Sequence, residues 1–182
     1  SKLKIAAAAV DAFRSWRPLL REPHLRAVFA LNGGYFVSIT GAQMVLLPLL
    51  LSERGYSPTE VGAVFGAMSA VSVFGAQPAA ALADKFGKPP LIALSCLVCG
   101  LGIAAFPDPD PTMTLAALAL WSVGSTLLGT SPTAYVADLA PATARSQAIA
   151  LHRTVGDVGF LAGSALSGGV ADTFSLEMAM RA

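Results

Sequence analysis

The chain has 182 residues, 54% of them apolar and 13% charged, with a formal net charge of +1 at pH 7. So even a charge balance leaves no nucleic-acid footprint, and no nucleic-acid partner is expected. A soluble domain would alternate charged and apolar faces along its helices, but between Ala27 and Ala171 this one does not. Its charges sit at the N-terminus and in short clusters between apolar runs of ~17–25 residues, the length that crosses ~30 Å of hydrocarbon. The expected class is an all-α, multi-pass integral membrane protein.

Residues 1–24 read as an amphipathic interfacial helix on the cytoplasmic side. At ~100° per residue, Ile5, Ala9, Phe13, Trp16 and Leu20 share one quadrant, and Lys4, Asp11, Arg14, Arg17 and Arg21 oppose them. Those arginines also stand where a secretory signal would have its uncharged core. A transmembrane unit then fills residues 25–182. Its first span, 25–51, carries Asn32, Tyr35 and Gln43 on one expected face, as interhelical hydrogen-bonding groups or as cavity lining. Ser57-Pro58-Thr59-Glu60 is a helix start with a capping box. The second span, 57–83, contains Gly62-x-x-x-Gly66, a pattern that allows close helix contact in lipid.

The third span, 90–106, holds Cys96 and Cys99, which read as small packing residues on one helix face rather than as a redox or metal pair. Pro107 to Thr112 is a rigid acidic turn. The fourth span, 113–139, places Trp121, Ser125, Pro132 and Tyr135 on one face. The fifth, 145–171, is the least apolar and carries His152, Arg153 and Asp157; His152 reads as a helix-contact residue. Residues 174–182 begin a sixth span that stops short. No metal-ligand cluster, nucleophile elbow or phosphate-binding glycine loop is present, so no enzyme activity, metal or cofactor is expected.

Sidedness follows from the basic residues. With the N-terminus in the cytoplasm, that side receives Lys2, Lys4, Arg14, Arg17, Arg21, Arg26, Lys85, Lys88, Arg145 and Arg153, against Arg54 on the other. This obeys the positive-inside rule. Which membrane hosts the chain is not encoded in this pattern.

Three stretches carry a family resemblance. Leu82-Ala83-Asp84-Lys85-Phe86-Gly87-Lys88 resembles the loop G-x-L-A-D-R-x-G-R-K of the major facilitator superfamily, with Ala80 replacing its first glycine and Pro89 a frequent basic residue. Tyr135 to Arg145, with Asp138 and Pro141, resembles the end of the fourth helix of a half. Arg153-x-x-Gly156-Asp157-x-Gly159-x-x-x-Gly163 is similar to the fifth. The leader and these motifs resemble the C-terminal six-helix half, here truncated in its last helix.

The resemblance implies secondary transport of a small solute by alternating access, with this chain supplying one half. A second six-helix half, in the same polypeptide or another chain, is then the implied partner. It also implies a gating charge network of Asp84, Lys85, Gly87, Lys88, Asp138 and Arg145, and a cavity lined by Asn32, Tyr35, Gln43, Trp121, Ser125 and Tyr135. Asp157 lies ~18 Å along its helix from Arg145, at 1.5 Å per residue. It is either a proton-coupling carboxylate associated with Arg153 or half of an ordinary i,i+4 ion pair with it. The alternative function is a non-transporting structural subunit of a larger membrane complex.

Overall fold

The computed structural model describes residues 15–106, 108 and 110–173. Most of the amphipathic leader and all of the expected sixth span lie outside these described residues. A short helical stretch, 15–21, precedes α1 (Pro23–Ser38), a π-helical segment (Ile39–Leu46), α2 (Leu47–Glu53), α3 (Pro58–Phe86), α4 (Lys88–Ala105), α5 (Pro111–Leu139) and α6 (Arg145–Thr173). Among the described residues there is no strand. The run Pro23–Glu53, α3, α4 and Thr112–Leu139 are each long and apolar enough to cross a membrane. The 29 residues of α6 are long enough but less apolar, because Arg153, Asp157, His152 and several hydroxyls interrupt them.

The distribution of side chains departs from that of a soluble protein, with large apolar side chains outside and several polar ones inside. Phe74, Val73 and Leu161 are at least 70% exposed, whereas Asn32, Ser95, Ser122, Thr126, His152 and Ser167 are buried. Lipid solvates apolar side chains as well as a protein core does, so interhelical contacts draw on small and polar residues instead. Several buried hydroxyls are satisfied one turn back: Thr40 donates to the Phe36 carbonyl, Ser122 to Leu118 and Thr126 to Ser122, at 2.7–2.9 Å.

Glycines set which helices touch. A Cβ at Gly124 would come within 2.5 Å of the Cys99 backbone nitrogen, and one at Gly102 within 2.5 Å of the Trp121 nitrogen, so α4 and α5 pack backbone to backbone. On the other side of the bundle, a Cβ at Gly163 would lie 2.5 Å from the Val37 carbonyl oxygen, bringing α6 against α1. The Gly62–Gly66 pair is expected to make such a contact and does not. A Cβ at either position would meet nothing within 4 Å among the described residues, so this face of α3 is open.

Helix ends follow local chemistry. Ser57 accepts from the Glu60 backbone N–H at 3.4 Å and its own N–H donates to Glu60 Oε2 at 2.8 Å, the reciprocal capping box expected from the sequence. Asp110 caps α5 by accepting from the Thr112 and Met113 N–H groups. Arg54 donates to Thr114 Oγ1 and the Phe106 carbonyl and lies over the Phe106 ring, tying the α2–α3 connection to the α4–α5 turn.

The leader also meets the bundle. Leu19 is buried with Leu25, Val28, Phe29, Val136 and Leu151, with Trp16 packed alongside. Leu20, expected on the apolar face, is 42% exposed instead. Docking against the ends of α1, α5 and α6, rather than the leader's own periodicity, selects the buried side.

Candidate functional site

One end of the bundle is closed by a very short connection. α3 runs to Phe86 and α4 starts at Lys88, so Gly87 alone joins them, with φ +87° and ψ 150°. That conformation is costly for any residue with a Cβ. Lys88, placed by this turn at the start of α4, forms an ion pair with Asp138 in the last turn of α5.

Of the expected charge network, this is the pair that forms among the described residues. Asp84 and Arg145 are exposed and unpaired there, and Lys85 lies over the Phe86 ring at 5.3 Å. The reason is helical: α3 continues past Asp84 and Lys85, holding them in its final turn instead of in a loop free to reach α5 and α6.

Between α1, α5 and α6 lies a half-open cavity of about 330 Å³. Asn32, Tyr35 and Phe36 line it from α1, Leu128, Gly129 and Thr133 from α5, and His152, Arg153 and Asp157 from α6. Asn32 is buried and its amide donates to the His152 carbonyl at 2.7 Å. Tyr35 donates its hydroxyl proton to the Ser125 carbonyl at 3.0 Å. Both side chains thus bind helix to helix while bordering the cavity. The i,i+4 ion pair between Arg153 and Asp157 does not form; each is exposed on the cavity side without an ion-pair partner among the described residues.

A second groove, of about 500 Å³, lies between α1, the π segment, α3 and α5. Gln43 and Ser125 line it with Ser69, Ser72, Ser122, Thr126 and Thr130; Tyr35 and Gly129 border both spaces. Asn32 and Gln43 therefore do not share one site, although 3.6-residue periodicity puts them on one face. The π segment between them widens the turn to i→i+5 and breaks that register.

Trp121 and Tyr135 lie apart from the expected cavity lining. Trp121 is fully buried beside Phe106, ring edge to ring face at 6.5 Å, where Gly102 lets α4 approach. Tyr135 packs among apolar residues of two core clusters. Large aromatics on a helix that touches several neighbours are recruited by packing, which the periodicity of one helix does not show. The hydroxyl row of α5 is visible in the sequence as Ser122, Ser125, Thr126, Gly129 and Thr130 at helical spacing, but its partners on α3 are not.

The arrangement is a bundle with a charged clasp at one end and polar spaces flanking Tyr35 in its interior. The family model of the Major Facilitator Superfamily matches residues 27–181. The chain belongs to the Major Facilitator Superfamily. Neither a curated protein nor a solved structure matches it. Members of this superfamily are membrane transporters, so a transporter-type role and a multi-pass membrane location follow for the chain at that level.

Proposed function

We propose that the chain supplies one half of a secondary transporter that moves a small solute by alternating access. The N-terminus and the Lys88–Asp138 end face the cytoplasm, in keeping with the excess of basic residues there. The observation that carries the mechanism is the Lys88–Asp138 pair itself: it joins the single-residue α3–α4 turn to the end of α5, and it is partly open to water. Such a pair holds one arrangement of a bundle edge yet breaks at modest cost when helices separate. The solute occupies the spaces beside Tyr35 and Gly129, near mid-membrane, and a second six-helix half completes the path. Asp157 and Arg153 supply charge within that path, the arrangement expected where transport is coupled to a proton.

The test is access to Gly129, which borders both spaces. In the native polypeptide carrying Gly129→Cys, with Cys96 and Cys99 replaced by serine, labelling by a membrane-impermeant thiol reagent is measured from each side. Alternating access gives labelling from both sides, with Asp138→Asn increasing it from the cytoplasmic side. Labelling from neither side, with the protein held in a large assembly, supports the structural-subunit alternative and overturns transport.

A further inference from the structure

We propose that the cavity between α1, α5 and α6 binds a small zwitterion of the amino-acid class, its carboxylate at Arg153 and its ammonium at Asp157. This rests on the transport reading and names its solute.

Arg153 and Asp157 are one helical turn apart, neighbours with Cβ atoms about 5–6 Å from each other. Oppositely charged residues at that spacing can pair, more weakly with the cation N-terminal to the anion, and these do not. Both face the cavity, where each charge is available to a ligand. His152 beside them is only 3% exposed, and its Nδ1 has no hydrogen-bond partner.

Charge balance selects the ligand. A monoanion would answer Arg153 and leave Asp157 without a partner; a monocation would do the reverse. A neutral solute would leave both without a charged partner. A zwitterion answers both charges and brings no net charge of its own. Phe36 and Leu128 give the cavity an apolar wall, which suits an aliphatic side chain. The hydroxyl-lined groove on the far side of Tyr35 has no charged residue in its lining and makes no such selection.

The test compares four isosteric probes by isothermal titration of the native polypeptide in lipid nanodiscs: L-leucine, 4-methylpentanoate, isoamylammonium and 4-methylpentanamide. Leucine is expected to bind at least roughly tenfold tighter than each of the others, because two charge-assisted contacts form together. Arg153→Gln and Asp157→Asn each remove that preference, and Arg153→Lys restores part of it. Size-exclusion profiles matching the unsubstituted protein show that the variants are folded.

Equal binding of the acid, the amine or the amide overturns the proposal, as does leucine binding that both substitutions leave unchanged. Binding of the amide alone, with two-sided labelling at Gly129→Cys, removes the zwitterion and keeps transport. Binding of no probe, with labelling from neither side, removes both.

Discussion

Lys88 and Asp138 are 50 residues apart in the chain and meet as an ion pair at one end of the bundle. The contact needs three local events. Gly87 must turn the chain in one residue, α4 must begin at once, and α5 must extend to Leu139. The side chains are 20% and 61% exposed, so water screens the pair.

Lys88→Gln or Asp138→Asn should therefore change stability by no more than about 1 kcal/mol, the scale of a solvent-exposed pair. The effect on gating is a shift in population rather than a loss of fold. The charge-swapped double variant, Lys88→Asp with Asp138→Lys, should return cytoplasmic labelling at Gly129→Cys toward the starting value. Additive effects in the double variant would show that the pair is not a clasp.

Asn32 has a different task. Its amide is buried and reaches the His152 carbonyl at 2.7 Å, fastening α1 to α6. Asn32→Ala should destabilise the protein by about 0.6 kcal/mol and at most about 1.7, the mean and maximum for interhelical hydrogen bonds in membranes. Unfolding in mixed micelles of increasing SDS fraction measures it. No change would mean that the carbonyl finds another donor.

Gly124 and Gly100 lie on the two helices of one packed pair, yet predict opposite results. A methyl at Gly124 would collide with the Cys99 backbone, while one at Gly100 meets nothing within 4 Å. Gly124→Ala should cost about 1–3 kcal/mol or more by forcing α4 and α5 apart. Gly100→Ala should be neutral or stabilising by up to about 1 kcal/mol, since it restricts the unfolded chain and improves helix propensity. The same SDS titration reads both, and equal effects would refute the backbone-to-backbone contact.

Asp110 gives a pH dependence outside the membrane. Hydrogen bonds from Thr112, first through its side chain and then its backbone, hold the Asp110 carboxyl below its ordinary value of 3.8, with Met113 adding a further backbone donor. A folded-state value below the unfolded one means that the contribution is complete above the unfolded value and lost as pH falls through the folded one. Asp110→Asn should therefore lie below the unsubstituted protein in stability at neutral pH, and the two should converge below about pH 3.8, the ordinary value from which the shift is measured. Equal stability of the two proteins at neutral pH, or a difference that persists unchanged well below pH 3.8, would show that the Asp110 carboxylate does not stabilise the start of α5.

Much of the architecture is legible in the sequence because a bilayer imposes a strong rule. Apolar runs of spanning length, the Ser57–Glu60 capping box, the basic turn at Gly87 and the Asp138-Leu139-Ala140-Pro141 helix end all follow from local residue chemistry. The site is less legible. Polarity alone points to Asn32, Tyr35, Gln43 and Ser125, but Asn32 and Gln43 fall in different spaces because the π segment shifts the register between them.

What the sequence determined by itself is the all-α membrane class, the order of the apolar runs and the motifs that mark the superfamily, since these depend on neighbours in the chain. What only the tertiary structure decided is which polar groups meet. It left Arg153 and Asp157 unpaired, buried Trp121 against Phe106, paired Lys88 with Asp138 and buried His152 Nδ1 without a hydrogen-bond partner. Such choices depend on helices distant in sequence and on where glycines let backbones close together, and single-helix periodicity carries no record of either.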